Sequence, residues 1–294
     1  MGTVPAVSPG TKETEGLRVP FRVSPCLPVT LSLRGDIGTV PCHPGLIKGG
    51  LPMADFTIAH MYPHLMNLNG DRGNLLCLKK RLQWYGHQPY IYEVSVGSKL
   101  DYHNIDMIYM GGGSEREVEL IYQDLVSRGA DLKEAIENGL PMLFIDTAYQ
   151  LLGQAYMDNA ENIIDGLGFF KFSTRRAKKR LTGNILLSSS VTGKECTVVG
   201  FENHYGCTYF EDENLQPFGR VVKGFGNNGE DGREGFFYKN LIGTCLHGPL
   251  LPKNPEIADF FIKAMVTRRG VALESELDDS IENFAYEQVV MRKA

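Results

Sequence analysis

The sequence predicts an α/β protein with a mostly parallel central sheet and helices on both faces. From residue 53 onward, short apolar runs of strand length alternate with segments of helical periodicity, which is typical of that class. The second half is richer in strand patterns than the first. The chain has 294 residues, 43% hydrophobic and 22% charged, enough to bury the core of one large or two modest domains.

The first half of this region alternates regularly between strand and helix. Leu75, Leu78 and Leu82 share one face of the first predicted helix, together with Tyr85. Three glycines at 111–113 close the third strand. In chain order, we expect a strand at 54–61, a helix at 74–85, strands at 89–96 and 106–110, helices at 115–128 and 133–138, and a strand at 141–145 that continues into a helical segment at 146–153.

The second half predicts mainly strands and one closing helix at 255–268. A loop at 224–235 is rich in glycine and asparagine, and the chain contains no internal repeat. The strands are expected at 184–188, 196–202, 207–210, 219–223 and 235–239.

Residues 1–52 differ in composition from the rest of the chain. They contain 8 of the 15 prolines and show no useful helical or strand periodicity, so we expect a poorly ordered extension before a folded domain at 53–294. Met53 is a candidate functional start of that domain. A signal peptide is the alternative, but Pro25 and Pro28 interrupt its only apolar stretch.

Composition excludes several classes of function. The net charge of −5 would repel nucleic acid rather than attract it. The six cysteines show neither CxxC nor zinc-finger spacing, which indicates free thiols, no metal site and a cytoplasmic location. No apolar run approaches the 18 or so residues that a membrane span requires.

The junction at Asp146 could carry chemistry. A residue between a strand and the following helix projects from the carboxyl edge of the sheet, where α/β hydrolytic enzymes place a nucleophile. The glycines at 111–113 would let backbone N–H groups approach a ligand closely, as an oxyanion hole requires. The alternative is an ordinary tight turn in which Asp146 caps the helix.

His247 is a second candidate, in the segment 243–249. A histidine at a strand end can serve as a general base, but it can equally be a structural side chain with satisfied hydrogen bonds. Cys245 lies two residues earlier and would share its face of a strand. We interpret Cys245 as core packing.

Six segments in this order resemble the cobyric-acid-synthase-like branch of the class I glutamine amidotransferases. Within that branch, the chain is most similar to the family of glutaminase subunits that serve lipid II isoglutaminyl synthases. The resemblance covers roughly residues 53–270. The matching segments are 62–74, 111–113, 141–153, 179–184, 199–204 and 243–254.

The resemblance implies a flavodoxin-like three-layer sandwich and a site for L-glutamine. His247 matches the family base and Arg180 matches the arginine that holds glutamine, whose α-carboxylate suits a guanidinium fork. Gly112, Gly113 and Asn203 are expected to line the same cleft. The acidic residue that other class I enzymes carry two positions after the histidine is replaced by Pro249, as is usual in this branch.

The family nucleophile is absent. Its cysteine, usually followed by two glycines, is replaced by Asp146, Thr147 and Ala148. A carboxylate attacks an amide poorly, and the adduct would expel the carboxylate sooner than ammonia. Loss of the nucleophile of a coupled catalytic pair costs on the order of 10⁴ to 10⁶ in turnover.

The resemblance also implies partners. Family members hydrolyse glutamine and pass ammonia to a Mur-ligase-like, ATP-using subunit, which amidates D-glutamate in the peptidoglycan stem peptide. We therefore expect a heterodimer that meets lipid II only through the complex. The chain itself should need no cofactor, and it lacks a nucleotide-binding Walker motif. A catalytically silent scaffold of the same complex and a small-molecule binding module are the alternatives.

Overall fold

A six-stranded sheet forms the centre of the computed structural model, which describes residues 54–157, 163–273 and 276–293. The expectations for residues 1–52 and for Met53 lie outside the described residues. The strand order is β11-β12-β4-β3-β1-β2. The strands are β1 (Asp55–Met61), β2 (Gln88–Val94), β3 (Met107–Met110), β4 (Met142–Ile145), β11 (Phe236–Tyr238) and β12 (Leu241–Thr244).

All neighbouring strands of this sheet are parallel except β11 and β12. The four residues of β3, β4 and β12 are all buried, as expected for parallel strands covered on both faces. The carboxyl ends of β3, β4 and β12 therefore lie side by side. The turns that follow them form the candidate site.

Helices cover both faces of the sheet. On one face, α2 (Glu115–Ser127) and α3 (Gly129–Glu137) pack their apolar side chains against Met110 and Phe144. On the other, α1 (Gly73–Trp84) and α5 (Pro255–Arg268) pack against Ile58 and Leu143. The predicted three-layer α/β sandwich is confirmed. Two further helices are α4 (Thr147–Gln150) and α6 (Ser280–Lys293).

A second, mostly antiparallel sheet lies beside the sandwich. Its longest members, β7 and β8, pair with each other along most of their length, with a register shift between Arg176 and Leu181. The short strand β13 pairs with β8 and carries His247. The strands are β5 (Ala155–Met157), β6 (Ile163–Asp165), β7 (Phe172–Ser189), β8 (Cys196–Phe210), β9 (Gly219–Lys223), β10 (Arg233–Glu234) and β13 (Leu246–His247).

The first-half predictions agree with the structure more closely than those for the second half. The strand predicted at 184–188 is only the apolar end of β7, and the two strands predicted at 196–202 and 207–210 are one continuous β8. The strand predicted at 235–239 corresponds to β11 alone. The elements without a predicted range are β5, β6, β10, β12, β13 and α6.

The C-terminal helix α6 follows a buried charge cluster. Arg81 on α1 is only 2% exposed and donates to Asp259 on α5 and to Asp279, directly before α6, at 2.7–2.9 Å. Tyr286 on α6 donates to the carbonyl of Thr197 at 2.9 Å. Such a buried cation strongly disfavours loss of its carboxylate partners.

Among the described residues, no helix combines the length and apolar character needed to cross a membrane. The described cysteines, Cys77, Cys196, Cys207 and Cys245, are free.

Candidate active site

Asp146 occupies a strained elbow between β4 and α4. Its backbone angles are φ 55° and ψ −125°, a conformation that residues other than glycine rarely adopt. Its N–H donates to the carbonyl of Thr244 at 2.8 Å, which ties the elbow to the end of β12. The predicted strand-turn-helix junction is therefore present. The Asp146 side chain is half-buried.

The glycine turn after β3 lies directly against the elbow. A Cβ placed on Gly112 would come within 3.0 Å of the Asp146 Cβ and 3.1 Å of its Oδ2, and one on Gly111 would lie 2.6 Å from the Met66 carbonyl oxygen. Only glycine fits these two close approaches without displacing backbone or the elbow residue.

Thr147 closes the turn from the other side. The Gly113 N–H donates to Thr147 Oγ1 at 2.9 Å, and the same hydroxyl donates to the Gly113 carbonyl at 3.1 Å. The N–H of Gly113, expected to face a ligand, is thus occupied by a side chain of the protein. An oxyanion hole needs such a donor unoccupied, so the Gly113 N–H is not available for that role in this structure.

His247 is buried and paired with a carboxylate from a distant part of the chain. Its Nδ1 lies 2.9 Å from Asp71 Oδ2, in the loop before α1, and Tyr109 donates to the Asp71 carbonyl at 2.8 Å. Burial alone would lower the pKa of His247, but the hydrogen bond and charge of Asp71, with the charges of Asp146 and Glu234, raise it overall. For the carboxyl group of Asp71, burial acts in the opposite direction and raises the pKa.

Asp71 is the neighbour of His247 that sequence reasoning missed. Its segment carries part of the family resemblance, but the acidic partner was sought two residues after His247, where Pro249 stands. A carboxylate on Nδ1 fixes the histidine tautomer and leaves Nε2 as the proton acceptor. The structure supplies that carboxylate from 176 residues away.

Arg180 and Asn203 extend this arrangement toward solvent. Arg180 Nη2 lies 3.4 Å from the Asn203 carbonyl oxygen, and Asn203 Nδ2 lies 3.4 Å from Asn69 Oδ1. Asn69 Nδ2 in turn lies 3.5 Å from His247 Nε2. The contacts are long, but they form a continuous series of neighbours from an exposed arginine to the buried histidine. Tyr205 supports Arg180, whose guanidinium lies 5.2 Å from the ring centroid.

Cys245 is buried in the hydrophobic core, as predicted, and its thiol also lies near the elbow. Its Sγ is 3.8 Å from Asp146 Oδ1 and 3.8 Å from the Tyr149 hydroxyl, and Gln150 Nε2 is 3.7 Å away. Burial, with the charges of Asp146 and Glu234, holds its pKa well above 9. Since the thiolate is the nucleophile, Cys245 does not replace the missing cysteine.

Every predicted site residue therefore lies in one region. Gly112 and Gly113 contact the elbow, while Arg180 and Asn203 lead to His247. Asp146 is close enough to His247 for its charge to raise the histidine pKa. The region contains a buried histidine with a carboxylate partner, and Asp146 rather than a thiol stands at the elbow.

Comparison with known structures defines the class. PurLQS from Thermotoga maritima matches with a TM-score of 0.50 over 73% of this chain and 99% of that chain, at 18% identity. The fold is that of the class I glutamine amidotransferases.

Sequence comparison defines the family. The CobB/CobQ-like glutamine amidotransferase domain matches residues 57–255. The lipid II isoglutaminyl synthase (glutamine-hydrolyzing) subunit GatD of Staphylococcus aureus is 38% identical over 82% of this chain and 97% of its own length, and that of Streptococcus pneumoniae is 34% identical over 84% and 91%. The chain belongs to the CobB/CobQ-like glutamine amidotransferase family.

Proposed function

We propose that the chain is the amidotransferase subunit of a lipid II isoglutaminyl synthase, and that it does not release ammonia from glutamine through a thioester of its own. Two relatives carry that subunit name and align over nearly their full length. The complex would amidate D-glutamate in the peptidoglycan stem peptide. Its second member would be a Mur-ligase-like subunit that uses ATP to activate the glutamate carboxylate, in a cytoplasmic heterodimer.

The geometry of the elbow supports the proposal that this chain does not hydrolyse glutamine itself. Glutamine hydrolysis in this class requires a thiolate, a base and oxyanion donors. In this chain the base is present as His247 with Asp71. The elbow holds Asp146, and the Gly113 N–H is occupied by the Thr147 hydroxyl.

The frame that surrounds Asp146 in this chain favours a role in the complex. The strained backbone of Asp146 costs of order 1–3 kcal/mol, and the buried pair of His247 and Asp71 also requires compensation from its surroundings. The strained elbow and the His247–Asp71 pair are both present although Asp146 brings no thiol to the elbow. Arg180 and Asn203 would then line a cleft that still accepts L-glutamine or faces the partner.

The test is co-expression with a Mur-ligase-like subunit, followed by size-exclusion chromatography and a lipid II amidation assay. We expect a one-to-one complex at micromolar concentration that amidates lipid II with ammonium chloride but not with glutamine. Separate monomers would refute the proposed complex. Amidation supported by glutamine and lost in His247→Ala would refute the silent site.

A further inference from the structure

Two segments of the chain meet beside His247 at three successive positions. The Asp71 segment, 71–74, leads into α1, and the His247 segment, 247–251, begins at the end of β13. The first contact joins Asp71 Oδ2 to His247 Nδ1 at 2.9 Å. Two further contacts follow in the same order along both segments. The segments therefore run side by side, with the buried histidine and its carboxylate at one end.

The second contact leaves no space between Gly73 and the ring of Pro249. A Cβ added to Gly73 would overlap the Pro249 Cγ, and it would lie 3.2 Å from the Pro249 Cβ and 3.4 Å from its Cδ. Gly73 is the first residue of α1, and its φ is not positive. The close approach of the proline ring, rather than the backbone conformation, therefore requires glycine at this position.

The third contact is made by Asn74, which is fully buried. Its Oδ1 accepts a hydrogen bond from the Leu251 N–H at 2.8 Å, and its own N–H donates to the Asp71 carbonyl oxygen at 2.9 Å. Asn74 is thus bonded to the residue that carries the carboxylate and to the segment that carries the histidine. A buried N–H that loses its acceptor is costly, so the fold disfavours separation of the two segments here.

The direction of the Asp71 carboxylate depends on where its backbone is held. Among the described residues, its Oδ1 has no hydrogen-bond partner, so no second side chain fixes the carboxylate at that oxygen. Its carbonyl oxygen accepts from both the Tyr109 hydroxyl and the Asn74 N–H. A displacement of the Asp71 segment would therefore be passed directly to the contact with His247.

We propose that Asn74 and Pro249 are positioning residues, which hold the Asp71 segment against the His247 segment and so keep the Asp71 carboxylate on His247 Nδ1. Pro249 occupies the position at which other class I enzymes carry the acidic residue. In this chain, the ring at that position contacts the start of α1, and the carboxylate comes from the residues just before that helix. The two contacts hold in place a partner that lies far away in the sequence.

The catalytic meaning of these positioning residues rests on the proposed function, in which His247 is the base that the site retains. The positioning itself is measured on this chain alone, through the proton affinity of His247. A negative result would leave the proposed ligase complex and the silent elbow untouched. Separate monomers in the co-expression test would likewise not affect this measurement.

The experiment is an NMR pH titration of the full chain with ¹⁵N-labelled histidine, in which His247→Gln assigns the signal of that ring. Despite burial, the hydrogen bond and charge of Asp71, with the charges of Asp146 and Glu234, raise the pKa of His247. Asp71→Asn gives the pKa without its partner. Asn74→Ala leaves all three carboxylates in the chain but loosens Asp71, so the His247 pKa should fall by about one unit, a tenfold loss of proton affinity.

A pair of variants of complementary size tests the second contact. Gly73→Ala adds a methyl group where the Pro249 ring leaves no space, so it should push the segments apart and lower the His247 pKa by about one unit. Pro249→Ala in the same chain removes Cγ and Cδ and makes room for that methyl group. The double variant should therefore recover at least half of the shift.

The matched control is Asn228→Ala, which also removes a buried amide side chain bonded to backbone groups. Asn228 is 7% exposed, and its side chain bonds to Thr208, Glu230 and Asp231, which lie in neither segment. Its removal should lower the melting temperature and leave the His247 pKa unchanged. The control separates a loss of stability from a loss of positioning.

Two outcomes would overturn the proposal. An unchanged His247 pKa in folded Asn74→Ala and Gly73→Ala chains would show that these contacts only stabilise the fold. A shift in Gly73→Ala that Pro249→Ala does not reverse would show that the proline ring does not position the Asp71 segment. If Asn74→Ala does not fold, the Gly73 and Pro249 variants decide the question.

Discussion

Restoring the nucleophile tests the elbow directly. Asp146→Cys installs a thiol at the position where the family carries its nucleophile, and it removes a negative charge from beside the developing oxyanion. The side chain becomes smaller, so the space beside Gly112, where an added Cβ would lie 3.0 Å from the Asp146 Cβ, is not made tighter. His247, whose Nδ1 lies 2.9 Å from Asp71 Oδ2, is the proposed base.

The single change should recover only part of the activity, because Thr147 still occupies the Gly113 N–H. One oxyanion donor contributes about 10² to 10³ in turnover. Asp146→Cys combined with Thr147→Gly should therefore exceed Asp146→Cys alone by roughly that factor. Thr147→Gly also removes two buried hydrogen bonds, at about 1 kcal/mol each, so a melting temperature several degrees lower is expected.

The assay is glutamate release from glutamine, measured for both variants and for the double variant carrying His247→Ala. Glutamate release should rise above background in Asp146→Cys and rise further when Thr147→Gly is added. It should disappear when His247→Ala is introduced as well. Glutamate release that is independent of His247, or an absence of release from a folded double variant, would show that the catalytic residues are wrongly assigned.

Three further predictions concern pH, buried charge and the N-terminal segment. Burial raises the pKa of Glu234 from 4.5 to about 7, so the fold favours its protonated form. The resulting contribution to the free energy of unfolding is complete below pH 4.5 and is lost as the pH rises through 7. Between pH 5 and pH 8, the free energy of urea unfolding should therefore change by up to ~3 kcal/mol less in Glu234→Gln than in the unmodified chain. Arg81→Met should destabilise the fold by about 3–5 kcal/mol in denaturant unfolding, because it leaves Asp259 and Asp279 unpaired; a loss below 1 kcal/mol would contradict the role of that cluster. A chain beginning at Met53 should melt within a few degrees of the full chain, and a larger drop in a calorimetric scan would show that the preceding residues stabilise the domain.

Local sequence patterns were sufficient for the first four strands of the parallel sheet, β1 to β4, but not for β12. Those four strands are short, apolar and separated by helices whose buried faces repeat with helical spacing, as in α1 and α2. The pattern was insufficient for β7, in which exposed and half-buried basic residues at 175–180 hide the strand beside a register shift. Strand pairing there depends on β8, a partner that local periodicity does not reveal.

The candidate site could likewise be predicted only in part. Asp146, the glycine turn and His247 could be predicted because each occupies a characteristic local position at a strand end or turn. Asp71 could not be assigned its role, since its contact with His247 spans 176 residues and follows only from the folded arrangement. The hydrogen bond from the Gly113 N–H to Thr147 could not be predicted from the sequence either, because it depends on the distance between two neighbouring turns.

The double hydrogen bond between Thr147 and Gly113 also has an evolutionary consequence. A lineage that regained cysteine at position 146 would recover little turnover while the hydroxyl stayed in place, and a glycine at 147 without the cysteine would only lose stability. The first step would therefore gain much less turnover than the two steps together. Because of the Thr147 hydroxyl, a full return to glutamine hydrolysis would depend on both substitutions.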